Sequence, residues 1–231
     1  MKILSLDTSG SSISVSLLED KKILGEFFLN SGFLHSKIIF SIVKKLIDIT
    51  SIKIKDIDFL AVCMGPGSFT GIRIGTSFMD GIAFSLNKPC VRVSSLVGLA
   101  YSAYNEVHMK NEDEVIYSCM NANCNEIYFA SYSFFLGKMH IKLEDTVMNL
   151  NKVIKIIKNE KKNITFVGSA SKLCYDLSGD IKSKMGDTTL KSSNIGVAAL
   201  DKFLSGTYSS REFNYLKKSK AESGLCKENI L

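Results

Sequence analysis

The chain opens with a compact alternation of apolar and polar stretches. Ile3-Leu4-Ser5-Leu6 is a short apolar run stopped by Asp7, and Thr8-Ser9-Gly10-Ser11-Ser12 is small and polar. Ile13-Ser14-Val15-Ser16-Leu17 then alternates strictly, the mark of a half-buried strand. Glu19-Asp20-Lys21-Lys22 turns the chain into a further apolar stretch, Ile23 to Leu29. The pattern predicts a three-stranded meander over Lys2–Leu6, Ile13–Leu17 and Ile23–Leu29. At His35 the period changes from two to 3.6, which predicts a helix to Thr50. Phe59-Leu60-Ala61-Val62-Cys63 is a continuous apolar run closed by glycine and proline, so it reads as a buried strand. Gly65-Pro66-Gly67-Ser68-Phe69-Thr70-Gly71 follows, and helical spacing resumes from Gly71 to Leu86.

Those two helices carry more apolar surface than one sheet needs. In the first, Ile38, Ile39, Phe40, Ile42, Val43, Leu46, Ile47 and Ile49 span about 200° of the circumference, about twice the usual core-facing stripe. In the second, Ile72, Ile74, Phe78, Met79, Ile82, Ala83 and Leu86 take about half, with Gly71, Gly75 and Gly81 inside or beside the arc. Glycine in a helix interior costs about 0.5–1 kcal/mol relative to alanine, so three of them predict backbones that approach closely. Arg73 and Asp80 share the other face and are expected to pair. The two helices suit a four-helix layer with the matching pair of a partner.

The rest of the chain repeats this order. Pro89 to Val93 is a short strand, and Ser94-Ser95 caps a helix running to about Tyr104. Asn105 to Glu114 is polar and marks the division between an N-terminal lobe (1–108) and a C-terminal lobe (109–205). A second meander is predicted over Val115–Met120, Glu126–Ser133 and Lys138–Leu143. A lysine-faced helix over Asn151–Lys162, a strand over Ile164–Gly168, a helix from Ser169 to Leu177 and a helix over Ile195–Leu204 follow. Gly179 to Ser193 reads as irregular. The tail, 206–231, is loose with Tyr215-Leu216 as its apolar anchor, and is expected to return toward the N-terminal lobe. Duplicated lobes with mixed sheets and covering helices fit this pattern.

Composition narrows the chemistry. At 231 residues with 45% hydrophobic content and 2 prolines, the chain has material for sizeable cores. No apolar stretch approaches the roughly 18–20 residues of a membrane span, and Asp7 breaks the N-terminal run too early for a secretory signal, so a cytoplasmic location is expected. The six cysteines contain no Cys-x-x-Cys pair, and His35, His108 and His140 are scattered, so neither a metal clamp nor a disulfide framework is expected. The net charge of +6 comes almost wholly from lysine, which permits only a weak general attraction to RNA.

The central loop allows several readings. No lysine follows its last glycine, so it is not a Walker phosphate loop. Backbone donors at the helix start could receive an anion, with Ser68 and Thr70 as caps. The competing account is a rigid turn aiming the helix at a partner. Arg73, the nearby cation, lies about 200° around the helix from Gly71. The turn account asks less and is the one expected.

GPGSFTGIRIG, together with the amino-terminal Met1-Lys2-Ile3-Leu4-Ser5-Leu6-Asp7-Thr8-Ser9 and with His35-Ser36, resembles the TsaB (YeaZ) family. Its members partner TsaD in making threonylcarbamoyladenosine (t6A) on tRNA. The resemblance implies an α/β, two-lobed, actin-like (ASKHA, ribonuclease H-like) fold with mixed sheets and covering helices in each lobe. It also implies a non-catalytic subunit that dimerises with TsaD and supports transfer to adenosine 37. TsaE is implied as a further partner through the TsaB–TsaD complex, with a homodimer for the free chain, indirect or weak tRNA contact and no membrane. His35, Ile38, Ile42, Gly71, Arg73, Gly75, Phe78 and Ile82 are the expected partner-binding positions. Asp7, Thr8, Gly65, Pro66, Gly67, Ser68 and Thr70 form the loop and the relic of a nucleotide site. No catalytic residue and no metal ligand is expected, and no cofactor of its own: ATP and metal belong to TsaD, with room for a nucleotide at the complex interface.

Several positions depart from the family. Asn121-Ala122-Asn123 stands where Asp-Ala-Arg is usual ahead of the Glu-Val-Tyr counterpart Glu126-Ile127-Tyr128, and Ser41 and Phe213 stand where prolines are usual. Asn121 and Asn123 supply no carboxylate for magnesium, and Gly168-Ser169-Ala170 has one glycine where superfamily ATPases have two. The His-x-x-x-His metal clamp of TsaD is missing. Three readings remain: the partner subunit, a weak ATP-binding enzyme or glycoprotease-like peptidase, and a purely structural homodimer.

Overall fold

The structure, a computed structural model, describes residues 1–30, 32, 34–103, 114–179, 182–208 and 216. The first meander is β1 (Lys2–Asp7), β2 (Ser12–Glu19) and β3 (Lys22–Asn30), all antiparallel. Helix α1 (His35–Thr50) crosses to β4 (Phe59–Cys63), which lies parallel to β1. Helix α2 (Phe69–Leu86) crosses to β5 (Cys90–Val93), parallel to β4. Helix α3 (Ser95–Ser102) follows. The second series is β6 (Glu114–Asn121), β7 (Glu126–Phe135), β8 (Lys138–Asn149), α4 (Leu150–Asn159), β9 (Asn163–Val167), α5 (Ser171–Asp176), β10 (Ser183–Met185) and α6 (Ser192–Leu204).

The two sheets have the same topology. Their orders are β3-β2-β1-β4-β5 and β10-β9-β6-β7-β8, so β6 to β10 take the places of β1 to β5. Mixed sheets with covering helices, arranged twice, are what the pattern predicts, and they form the actin-like class that the family resemblance implies.

Side-chain burial explains the layering. Leu4, Leu6, Val15, Leu60 and Val62 point to the outer face of the first sheet, where α1 and α2 cover them. Val115, Tyr117, Phe129, Ile164 and Phe166 do the same on the second sheet beneath α4 and α5. The strand residues of opposite parity, including Ile3, Phe59, Ala61, Val91, Ile116, Ala130 and Tyr132, meet α3 and α6 between the sheets. The period of two thus sorts each strand between an outer and an inner core.

Helices α3 and α6 are exchanged. Although α3 follows β5, it packs on β6, β7 and β9, while α6, which follows β10, packs on β1, β2, β4 and β5. Their N-termini are held reciprocally by carboxylates from third strands. Glu26 of β3 accepts from Ser193 N at 2.9 Å, within a buried cluster where Ser14 Oγ accepts from Ser192 N at 2.9 Å and Ser5 Oγ donates to Ser192 O at 2.8 Å. Asp145 of β8 accepts from the hydroxyls of Ser94, the α3 N-cap, and of Tyr132.

The structure departs from the sequence reading in a few places. Helix α2 starts at Phe69 rather than Gly71, because Ser68 Oγ accepts from Gly71 N and caps a turn earlier. Strand β8 continues to Asn149, six residues past Leu143, its pattern masked by Glu144 and Asp145. The stretch 179–193 contains β10, a three-residue strand held by parallel pairing to β9. Asp80 pairs with Arg92 at 2.8 Å instead of Arg73, whose guanidinium lies 3.8 Å over the Phe69 ring. The lobe boundary at 108/109, Tyr104 and the tail from 209, except Leu216, lie outside the described residues.

Removing the Glu26 carboxylate strips the first turn of α6 of an acceptor. Glu26→Ala should lower unfolding stability by about 1–3 kcal/mol. Urea denaturation would show this as a lower midpoint with an unchanged slope.

Candidate functional site

The β1–β2 hairpin and the entry to α2 form one packed unit. Asp7, Thr8 and Ser9 are 2%, 1% and 3% exposed. Thr8 Oγ1 donates to Gly71 O at 2.7 Å, and Ser68 N donates to Ser9 O at 2.7 Å. A Cβ on Gly67 would collide with Ser9 O, one on Gly71 with Thr8 O, and one on Gly75 with Thr8 Oγ1. Positions 67, 71 and 75 are four apart, so they form one stripe leading into and along the helix, and the hairpin lies in it. Of the three helical glycines, Gly71 and Gly75 permit the expected close approach. Gly81 does not: a Cβ there would meet nothing within 4 Å.

The loop itself is fastened from the other side. Ser95 N donates to Gly65 O at 2.8 Å, and Ser95 Oγ donates to Pro66 O at 2.7 Å. Cys63 Sγ lies 3.0 Å from Ser95 Oγ. Burial and the nearby Asp7 charge push the Cys63 thiol far above its ordinary value, so it stays protonated and is no nucleophile. The Gly65–Pro66 peptide is cis, and Gly65 has φ +97°.

Asp7 accepts from Ser9 N through Oδ1 at 3.0 Å. Burial raises its carboxyl above the ordinary value, opposed by donors from Ser9 and Cys63. Asn121 occupies the same place at the end of β6, and its Oδ1 accepts from Asn123 N at 2.8 Å. An amide therefore makes in the second repeat the same side-chain turn that a carboxylate makes in the first. Asn123, Cys124 and Asn125 continue it with φ of 61°, 53° and 59°, a conformation that asparagine tolerates well. Gly168, with φ +99°, matches Gly65 after the fourth strand of its sheet.

The expected site residues divide into two groups. Asp7, Thr8, Gly65, Pro66, Gly67 and Ser68 converge on this unit, while Thr70 is exposed on the first turn of α2. Of the partner positions, Ile38, Phe78 and Ile82 are half-buried and Arg73 is exposed. His35, Ile42, Gly71 and Gly75 are buried in the chain's own packing. His35 Nε2 donates to Gly10 O at 2.9 Å, tying the start of α1 to the hairpin. These four can shape a partner surface only from beneath it. Ser9, Cys63 and Ser95 complete the unit; local sequence marks Ser95 only as part of a helix cap and Ser9 only as part of the amino-terminal motif, because the segments that carry the three meet only in the fold. Among the described residues no group of three His, Cys, Asp or Glu side chains is placed to hold a metal.

Comparison with known proteins places this arrangement. Residues 31–222 match the family described as TsaD, tRNA N6-adenosine threonylcarbamoyltransferase. Proteins named tRNA threonylcarbamoyladenosine biosynthesis protein TsaB are similar to the chain. That of Escherichia coli is 33% identical over 57% of this chain and 55% of its own length. That of Bacillus subtilis is 26% identical over 80% and 79%. The chain belongs to this TsaD-related family, on its TsaB (YeaZ) branch. The matched stretch spans about half the length of the Escherichia coli and Haemophilus influenzae relatives, 55% and 53%. In fold, the YeaZ structure from Pseudomonas aeruginosa superposes with a TM-score of 0.75 at 23% identity, over 90% of this chain and 95% of that one. An Arthrobacter polyphosphate/ATP-glucomannokinase superposes at 0.53 and 12% identity, over 88% and 99%, a likeness of fold alone. No helix among the described residues of this TsaB-family chain is long and apolar enough to cross a membrane.

Two substitutions in α2 should have opposite effects. Gly71→Ala drives a Cβ into Thr8 O and should destabilise by about 1–3 kcal/mol or more. Gly81→Ala, in open space, should be neutral or stabilising by about 0.5–1 kcal/mol. Thermal melts of both variants decide it.

The raised Asp7 carboxyl fixes a pH dependence. The folded state holds this proton more tightly than the unfolded state, so its contribution is full at low pH and is lost as pH rises through the folded value. Asp7→Asn keeps the turn and removes that loss. Its stability relative to the wild type should grow as pH rises from about 4, then level off. A difference that is flat in pH contradicts this assignment.

Proposed function

We propose that this chain is a non-catalytic subunit of t6A synthesis that docks a TsaD-type threonylcarbamoyltransferase through α1 and α2. The family relationship supplies the pathway. The observation that carries the partner role is the apolar surface left on two helices whose sheet is already covered. Phe40 and Ile49 of α1 are 67% and 64% exposed, and Phe84 of α2 is 90% exposed. Ile74, Phe78 and Ile82, each one turn apart on α2, are half-buried. An uncovered apolar surface of this kind favours burial against a matching helix pair.

A scaffold role also agrees with the hairpin. The Asp7 carboxylate faces a buried turn rather than solvent, and Thr8 and Ser9 are packed against the Gly65–Gly71 loop. ATP and metal are assigned to TsaD in this reading, and TsaE joins through the assembled pair. The free chain would shield the same helices by pairing with a second copy.

The test is a charge on the outward apolar surface. Phe40→Glu leaves the core intact, because the side chain stands mostly in solvent, whereas Ile42→Glu would damage folding from within. The variant should melt as the wild type does and lose at least about tenfold in affinity for the TsaD-type partner. Normal binding by a folded Phe40→Glu and Phe84→Glu double variant would place the interface elsewhere. Full t6A formation by the other pathway proteins without this chain would end the subunit reading.

A further inference from the structure

The outer layers of the two sheets differ in chemistry. Over α1 and α2 the outer surface is partly apolar, while over the second sheet α4 presents lysine. Lys152, Lys155 and Lys158 recur every third residue on the exposed side of α4, and exposed Lys161 and Lys162 follow its end. Val153 and Ile157 face inward and are buried, with Ile154 and Ile156 packed beside them. Between 150 and 162 the sequence carries these five lysines and one acidic residue, Glu160. Most of the chain's net charge of +6 is therefore concentrated on one helix and the turn after it.

The single carboxylate does not neutralise this face. Glu160 Oε2 accepts from Tyr117 OH at 3.1 Å, and Oε1 accepts from Lys161 N and Lys162 N at 2.9 and 3.1 Å. It is turned onto the chain's own backbone and tyrosine. Among the described residues, no carboxylate pairs with the ammonium groups of Lys152, Lys155, Lys158 or Lys161. Four like charges within about three turns repel one another, a standing cost that an extended polyanion would relieve.

We propose that this α4 face binds the phosphate backbone of RNA, and that in the assembly it meets the tRNA substrate directly. The tRNA identity rests on the function proposed above; the preference for a phosphate backbone rests on the charge. The face offers ammonium point charges in a row, with the carboxamides of Asn151 and Asn159 exposed among them, and a row of like point charges suits contact with a phosphate backbone. A bilayer surface is the less fitting occupant, because Val153 and Ile157 of α4 are buried and Leu150, Ile154 and Ile156 pack against the same core, leaving no fully exposed apolar residue on α4 to insert. The arrangement also leaves α1 and α2, on the far side of the other sheet, free to hold the protein partner at the same time.

The full chain, titrated against a fluorescent unmodified tRNA transcript by anisotropy over a series of salt concentrations, tests this. The wild type should bind with affinity that falls steeply with salt. A Lys152→Glu/Lys155→Glu/Lys158→Glu variant should bind at least about tenfold more weakly. Its slope of log affinity against log salt should be shallower by about 2–3. A control of equal charge change at exposed lysines on other surfaces, Lys53→Glu/Lys55→Glu/Lys142→Glu, should keep most of the affinity and slope. Equal losses in the two variants, both folded by circular dichroism, would show only a diffuse effect of net charge and overturn the assignment. So would wild-type binding to anionic phospholipid vesicles with none to the transcript. Partner binding, measured on the same α4 variant, should be unchanged. If the transcript behaves as stated but no TsaD-type partner is bound, the partner reading falls and the RNA face stands. If the partner is bound and the α4 variant grips RNA as the wild type does, the reverse holds.

Discussion

The exchange of α3 and α6 between the sheets is the constraint on which the remaining architecture depends, because neither sheet covers its inner face with its own following helix. The contacts at this exchange are close enough to dictate residue type. A Cβ on Gly196 of α6 would fall 3.0 Å from Ser5 Oγ and nearer still to Leu18. One on Gly98 of α3 would press on Leu190 and Ile195. Ser118 Oγ donates to Leu96 O at 2.8 Å across the same layer. Glu26 accepts from a first-turn N–H of α6, and Asp145 holds the hydroxyl of Ser94, whose Oγ in turn accepts from Leu96 N of α3, so each helix start is anchored from a third strand. Unfolding either sheet uncovers a helix that the other needs, so the halves are expected to unfold together.

Much of this was legible in the sequence, and the parts that were not have a common cause. Strict alternation at Ile13–Leu17 and the wide apolar arc of His35–Thr50 identified β2 and α1, the latter to the residue. Local chemistry also identified the caps Ser68 and Ser94. What local pattern could not supply was anything decided by a distant partner. β10 exists only because β9 offers it a parallel edge, and Asp145 hides the end of β8 because its charge serves α3 rather than solvent. Arg92 took Asp80 from Arg73 because β5 runs beside α2, a neighbourhood that helical geometry alone does not reveal.

The candidate site shows the same division. Its glycines announced a constrained backbone, yet the groups that require them, Thr8 O, Thr8 Oγ1 and Ser9 O, lie some sixty residues earlier in the chain. Gly81 carried the same signal and meets nothing within 4 Å, so glycine in a helix is informative only when the approaching atoms are known. The width of the apolar arcs was read correctly, but periodicity could not say which members faced the sheet. His35 and Ile42 proved to be buried, whereas Phe40, Ile49 and Phe84 stand in solvent.

The comparison between repeats bears most directly on chemistry. A carboxylate at the end of a first strand is costly when buried, and Asp7 is almost wholly buried. Were its charge required only for the turn, an amide would serve, and at Asn121 one does, with a nearly equal oxygen-to-nitrogen distance of 2.8 against 3.0 Å. The hairpin that follows Asp7 is meanwhile pressed into the glycine stripe of α2, which leaves Thr8 and Ser9 committed to Gly71 and Ser68. Both features tie the hairpin and the glycine loop into one closely packed joint between β1 and α2. Because His35 fastens α1 to the same hairpin through Gly10, the joint also sets the angle between the two helices that carry the exposed apolar surface. Conformational precision at the hairpin is thereby passed to that surface, as the docking role proposed above would require.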